Sequence, residues 1–126
     1  MNQLHFKKFV PGIAWFFIVL VLICMPGSDM IDPTDWFYRL NGDKIVHAFM
    51  FGMMNFLFAW PIVRSGWDFN KRRNYLIKIC LSVIVWGLTT EFIQKFYVPT
   101  RSFELMDWGA DSFGAMIALI LMRRKL

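Results

Sequence analysis

Four long apolar blocks constrain the fold of this chain more than any other feature of its sequence. They cover residues 9–25, 45–63, 75–94 and 105–122. Each block is close to the ~20 residues that an α-helix, rising ~1.5 Å per residue, needs to cross the hydrocarbon core of a bilayer. The chain is 57% hydrophobic, which gives more apolar surface than a soluble domain of 126 residues can bury in one core. We therefore predict an all-α integral membrane bundle of four transmembrane helices in a single domain.

The basic residues predict the orientation of these helices. They cluster before the first block, between the second and third, and at the end of the chain: Lys7, Lys8, Arg64, Lys71, Arg72, Arg73, Arg123, Arg124 and Lys125. Cationic residues favour the cytoplasmic side of a membrane, so both termini and the middle loop are expected to be cytoplasmic. Among the acidic residues, only Asp68 falls in a segment predicted to lie inside. The formal net charge of +5 is thus an orientation signal, and we predict no nucleic-acid partner.

Ionisable side chains stand near the outer ends of three predicted helices. Four of them fall within about two turns, or ~11 Å, of the outer interface, and these are the candidate catalytic residues His47, Glu91, Asp107 and Asp111. A charge inside a membrane is costly, so several at one depth indicate a polar site that opens outward. Three polar residues nearby are the candidate ligand-binding groups: Lys44, Gln94 and Arg101.

Small residues follow the same helical faces as these ionisable groups. In the second block, Ala48, Gly52 and Ala59 recur at intervals of four and seven residues. In the fourth block, Gly114 and Ala118 continue the face that carries the two aspartates. Small residues let transmembrane helices approach closely. We therefore predict that both faces pack against protein rather than lipid.

The ionisable residues also have structural explanations. Glu91 precedes Lys95 by four positions, a spacing that permits an ion pair within one helix. Asp107 falls in the first turn of a helix, where the dipole favours a carboxylate, and a single histidine such as His47 is more often packed than catalytic. Asp111 lies about one turn deeper, ~5–6 Å, where these explanations are weaker. The alternative to a functional site is a non-enzymatic interaction or assembly protein with structural ion pairs.

Three kinds of chemistry fit the candidate residues. His47 and a carboxylate can do acid–base work on a lipid-linked or cell-wall precursor whose phosphate is held by Lys44 and Arg101. His47, Glu91 and the aspartates can hold a divalent metal, although the sequence lacks a diagnostic spacing such as HExxH. The same groups can bind a head group or a partner helix without catalysis. The sequence leaves open which metal, if any, is bound and whether a reaction is catalysed.

An ordered set of motifs spans residues 43–118. It consists of DKIVHAFMFG from Asp43, EFIQ from Glu91 and RSF from Arg101, followed by Asp107, Asp111 and Gly114. This set resembles the VanZ-like family of small bacterial integral membrane proteins. At position 111 that family usually has asparagine, so Asp111 adds a charge at this point.

The resemblance implies a VanZ-like protein with four transmembrane helices in the bacterial inner (cytoplasmic) membrane. The namesake of the family is associated with resistance to the glycopeptide teicoplanin. The resemblance therefore leads us to expect a protein of the cell envelope that acts on or binds a precursor or lipid. Its expected partners are membrane lipids and a lipid-linked or cell-wall precursor.

Overall fold

The computed structural model describes residues 4–24, 42–98 and 103–126 of the chain. In these ranges, a short 3₁₀ helix leads into four α-helices, which are α1 (Val10–Cys24), α2 (Gly42–Val63), α3 (Phe69–Tyr97) and α4 (Leu105–Arg123). No strand occurs in these ranges. All four helices are long and apolar enough to cross a membrane, with α1 counted together with the 3₁₀ turn before it. The prediction of an all-α chain with four such helices is confirmed, while insertion and orientation stay predictions.

Two of the helices begin earlier than their apolar blocks predict. α3 starts at Phe69 rather than at residue 75, and α2 starts at Gly42 rather than at residue 45. The side chain of Asp68 caps α3 by accepting a hydrogen bond from the backbone N–H of Lys71 at 3.2 Å. Such a cap stabilises the first turn whatever the polarity of the residues that follow. An apolar block marks the part of a helix that suits hydrocarbon, whereas the cap decides where the helix begins.

The most extensive contact in the bundle is between α2 and α4. A Cβ added at Gly114 of α4 would overlap the carbonyl oxygen of Ala48 in α2, and one added at Gly52 would lie 3.1 Å from the carbonyl oxygen of Gly114. Beside this point, Asn55 donates from Nδ2 to the carbonyl oxygen of Ala115 at 3.1 Å. The small-residue faces of both helices therefore pack against protein, as predicted, and the two backbones touch.

Helix α3 packs antiparallel to α4. Trp108 of α4 donates from its indole nitrogen to the carbonyl oxygen of Ile84 at 2.9 Å. Further along α4, Met116 lies beside Cys80, which comes earlier in α3, with the two sulfur atoms 3.9 Å apart. The start of α4 therefore lies next to the end of α3, which is the arrangement that the candidate site requires.

Helix α1 covers the bundle from one side and carries no Asp, Glu, Lys, Arg or His. Val19 and Ile23 are buried against a core that includes Phe51. Hydrogen bonds to backbone carbonyls hold the helix at two points: from Trp15 to Met50 at 2.8 Å, and from Gln94 to Ile23 at 3.1 Å. Most of its other surface is apolar and exposed, so α1 serves as a scaffold and supplies no ionisable group to the site.

Candidate functional site

Three helices bring the candidate catalytic residues to one end of the bundle. α2 supplies Lys44 and His47, and α4, which runs in the same direction beside it, supplies Asp107 and Asp111 in the same order. Lys44 Nζ lies 3.4 Å from Asp107 Oδ1, and His47 Nδ1 lies 2.9 Å from Asp111 Oδ1. α3 adds Glu91 from its opposite end. We refer to His47, Glu91, Asp107 and Asp111 as the acidic site.

The imidazole of His47 lies between two aspartates of α4. Its Nδ1 forms a 2.9 Å hydrogen bond with Asp111 Oδ1, and its Nε2 lies 3.8 Å from Asp107 Oδ2. His47 is buried, with 6% of its surface exposed. Because both ring nitrogens face carboxylates, the ring is held in one orientation and can exchange a proton with either side.

Glu91 reaches the same place from α3 and is fully buried. Its Oε2 accepts a hydrogen bond from the backbone N–H of Glu104 at 3.2 Å. Gly87, one turn earlier in α3, leaves room for Asp111, since a Cβ there would lie 3.1 Å from the Cβ of Asp111. One side-chain atom each from His47, Glu91 and Asp111 all lie within 4.8 Å of one another.

Two carboxylate oxygens in the acidic site are buried and lack a hydrogen-bond partner among the described residues. They are Glu91 Oε1 and Asp111 Oδ2, and both side chains are 0% exposed. Burying an ionised carboxylate without a partner costs several kcal/mol, about the same order as losing a buried ion pair. These two oxygens are therefore where a proton, a cation or a donor from a ligand would be bound.

Lys44 and Glu104 form the more open edge of the site, which we call the rim. The side chain of Lys44 is 25% exposed and that of Glu104 is 46% exposed, and Lys44 Nζ lies 3.6 Å from Glu104 Oε2. Glu104 was not among the residues selected from the sequence. Its position one turn before Asp107 is the signal that could have identified it.

Two predicted ligand-binding residues fall elsewhere. Gln94 donates to the carbonyl oxygen of Ile23 and so joins α3 to α1, one turn beyond Glu91. Arg101 lies outside the described residues, as does the side chain of Asp43. The structure therefore places Lys44 at the acidic site, uses the Gln94 amide in helix packing, and gives no position for Arg101.

The local ion pair that could have explained Glu91 does not form between the described side chains. Lys95 is exposed, and its ammonium lies 5.4 Å from the centroid of the Phe96 ring. Glu91 instead points into the bundle. There it accepts a hydrogen bond from the backbone N–H of Glu104 and lies near His47 and Asp111. A spacing of four residues permits an ion pair in a helix, but burial of one partner and exposure of the other prevents it here.

Comparison with known proteins gives a family but no activity. No protein-family model and no solved structure matches the chain. Over 120 residues it is 30% identical to an uncharacterized protein of Schizosaccharomyces pombe, in an alignment that covers 95% of this chain and 67% of that protein. The chain belongs to the same family as that protein. Since this relative is fungal, it lends no support to a bacterial location or to the VanZ-like resemblance, which stay predictions.

Proposed function

We propose that this chain is a VanZ-like integral membrane protein that crosses the bilayer four times, with both termini on the cytoplasmic side. The four apolar helices support the crossing. The charges support the orientation, because the connection between α2 and α3 and the end of α4 carry basic residues, whereas the acidic site lies at the other end of these helices. The acidic site then lies at the outer level of the membrane.

We further propose that the acidic site binds, and acts on, the polar head group of a lipid or a lipid-linked cell-envelope precursor. The observation that carries this proposal is the complete burial of Glu91 and Asp111, each with an oxygen that no described residue satisfies. Most buried polar atoms in proteins have a hydrogen-bond partner, because each unsatisfied one costs stability. A site that receives a ligand keeps such atoms available for it.

The rim and the histidine have separate roles in this proposal. Lys44 is the positive charge at the more exposed edge, where its ammonium can bind a phosphate oxygen of the head group. His47, held between two carboxylates, can take up or release a proton on the side of the bound head group. The reaction supported by these groups is acid–base catalysis at a phosphate-bearing head group.

A membrane lipid is the ligand class that we favour over a cell-wall precursor. The family includes a fungal protein, and phosphate-bearing lipids occur in the membranes of fungi and bacteria alike. A role in glycopeptide resistance would be a specialised use of the same site in a bacterial member. Susceptibility to teicoplanin is therefore a secondary readout, and lipid binding is the primary one.

The alternative function is a non-enzymatic interaction or assembly protein. The contacts between α2 and α4 favour it, because the Lys44–Asp107 ion pair and the His47–Asp111 hydrogen bond both join the two helices that pack most closely. In that case the acidic site stabilises the bundle, and any loss of function in a variant follows the loss of folded protein.

Native mass spectrometry of the full chain released from mild detergent distinguishes the two functions. We expect the wild type to retain one phosphate-bearing lipid, and Lys44→Gln and His47→Ala to lose it while remaining folded. Lys78→Gln is the matched control, since Lys78 is an exposed lysine on α3 whose ammonium lies 5.0 Å from the centroid of the Tyr75 ring. Equal lipid retention in all four proteins would refute the head-group site.

A further inference from the structure

We propose that a divalent transition-metal ion binds between His47, Glu91 and Asp111, one ligand from each of α2, α3 and α4. This inference deepens the proposed function and rests on the same site. The three side chains are buried, and one possible ligand atom from each lies within 4.8 Å of the other two. They combine an imidazole nitrogen with two carboxylate oxygens, a donor set used by metal sites in proteins.

The distances suit an ion of this kind. Metal–ligand bonds of ~2.1 Å in a tetrahedral site place the ligand atoms about 3.4 Å apart. His47 Nδ1 and Asp111 Oδ1 are 2.9 Å apart, and one ligand atom from each of the three residues lies within 4.8 Å of the other two. Side-chain rotations that shift the ligand atoms by roughly 1–1.5 Å bring these separations to the value for a bound ion.

The unsatisfied oxygens provide a second, independent observation. Glu91 Oε1 and Asp111 Oδ2 are buried and have no hydrogen-bond partner among residues 4–24, 42–98 and 103–126. The other oxygen of Glu91 is held by the backbone N–H of Glu104 at 3.2 Å. A hydrogen bond that orients one oxygen and leaves the second free is the support that metal-binding carboxylates commonly receive.

The charges in the site also call for a divalent cation. Glu91, Asp107 and Asp111 are three carboxylates, and Lys44 contacts Asp107 of this set and Glu104 of the rim. With ionised carboxyl groups and a neutral His47, the acidic site carries more negative than positive charge in the interior of the bundle, where an uncompensated charge is costly. One divalent ion would offset two of these negative charges.

The donor set also indicates which ions to test. Imidazole suits Zn²⁺ and other first-row transition ions, whereas Mg²⁺ prefers sites made of oxygen ligands alone. Three protein ligands leave a coordination position for a phosphate oxygen of the proposed head group, as catalytic zinc sites do for their substrates. Zn²⁺ and Mn²⁺ are therefore the probes, and Mg²⁺ is the comparison ion.

Metal content is the first test. The full chain is purified in detergent without a polyhistidine tag or chelator and equilibrated with Zn²⁺ or Mn²⁺. Its metal content is then measured by inductively coupled plasma mass spectrometry. We expect one ion per chain in the wild type and an affinity at least about tenfold lower in His47→Ala, Glu91→Gln and Asp111→Asn. Glu104→Gln is the control, because it removes a carboxylate of the rim and leaves its backbone N–H in place. Equal metal retention by wild type and Glu91→Gln would overturn the proposal.

Thermal melting of the chelator-treated protein is the second test, and it remains informative if one variant folds poorly. We expect Zn²⁺ or Mn²⁺ at a hundred times its Kd to raise the Tm of the wild type by about 5–10 °C, and Mg²⁺ to have little effect. Without metal, Glu91→Gln should melt no lower than the wild type, because one of three crowded carboxylates is gone, and metal should not raise its Tm. A lower metal-free Tm in Glu91→Gln, or the same rise with metal in both proteins, contradicts the proposal.

Lipid retention by the metal-free wild type separates this inference from the proposed function. If lipid stays bound while no metal binds at any concentration tested, the metal site is refuted and head-group binding stands. If metal binds with the expected pattern but no lipid is retained by any preparation, head-group binding is refuted and the metal site stands.

Discussion

The two ends of the bundle hold their charges in opposite ways. At the basic end, Arg64 and Lys71 are exposed and lie over aromatic rings close to them in the sequence, 5.5 Å from the Trp60 centroid and 3.9 Å from the Trp67 centroid. At the other end, the acidic site is buried, and its contacts join α2 to α4 across the bundle. Arg64 and Lys71 are thus held locally at the surface, whereas the carboxylates of the acidic site are held by the tertiary structure.

The difference separates residues that orient the chain from residues that form a site. An exposed lysine or arginine over a ring keeps its hydration and gains about 0.5–1 kcal/mol, so it can be replaced with little effect on its neighbours. A buried carboxylate depends on partners from other helices, and removing a partner leaves a costly charge. Removing the cationic partner of a buried carboxylate should therefore cost more stability than removing an exposed lysine or arginine that lies over a ring.

The largest expected effect is at the helix contact beneath the acidic site. Gly114→Ala should destabilise the protein by about 3 kcal/mol or prevent folding, because its Cβ would overlap the carbonyl oxygen of Ala48 and force α2 and α4 apart. Gly109→Ala on the same helix is the control, since a Cβ there meets nothing within 4 Å. Detergent melting and membrane abundance measure both. Equal stability of the two variants would show that the helices do not approach as closely as described.

The next effect tests whether the acidic site acts as a unit. His47→Ala and Glu91→Gln should each reduce lipid retention or the associated cell-envelope phenotype by at least about tenfold, and the double variant should lose little more, because members of one site are strongly non-additive. Membrane abundance of each variant is measured in parallel. If the phenotype declines only in proportion to the amount of folded protein, the ion-pair alternative is correct.

Replacing one lysine at each end of the bundle should change the free energy of unfolding by a smaller amount. Lys44→Ala should lower the free energy of unfolding by about 1–2 kcal/mol, since it removes a half-buried cation from two carboxylates. Lys71→Ala should cost only about 0.5 kcal/mol, the value of an exposed contact with Trp67. Chemical denaturation in detergent measures both. A larger loss in Lys71→Ala would reverse the comparison between the ends.

Labelling of single cysteines tests the orientation of the helices and is expected to change stability least. In a background with Cys24→Ser and Cys80→Ser, a membrane-impermeant thiol reagent applied to intact cells should modify Tyr97→Cys, an 81% exposed position at the end of α3. It should not modify Asn70→Cys, an exposed position at the start of α3, until the membrane is permeabilised. The opposite pattern would reverse the proposed orientation.

Much of the fold follows from the sequence because the apolar blocks are as long as a membrane is thick. The block at residues 105–122 matches α4 (Leu105–Arg123) closely, since charged residues stand just outside it, Glu104 before and Arg123 after. The block at 75–94 underestimates α3 by more than a turn, because polar residues such as Asn70 are as able to form a capped helix as apolar ones. The sequence predicts the number of long apolar helices better than the residues at which they begin.

The acidic site could be predicted in part, and the limit is physical. Counting turns from the helix ends gives the depth of His47, Glu91 and Asp111, which the structure brings within reach of one another. The depth of a residue in the bundle does not show in which direction its side chain points around the helix axis. For this reason the sequence did not distinguish Glu91, which points into the site, from Gln94, whose amide binds the carbonyl oxygen of Ile23. Glu104, the residue just before α4, was missed because the apolar block begins after it.

The backbone contact between Gly114 and Ala48 gives α2 and α4 a point about which they can tilt, in the middle of α4 and near the start of α2. Asp111 is three residues from this pivot, or ~4.5 Å along the axis, whereas Arg123 is nine residues away, or ~13.5 Å. Helices tilt to match bilayers of different thickness. A tilt of about 10° around Gly114 displaces Asp111 by roughly 0.8 Å and the basic end by roughly 2.3 Å. The contact thus keeps the distance between His47 and Asp111 nearly constant when the helices tilt, while the basic end moves further.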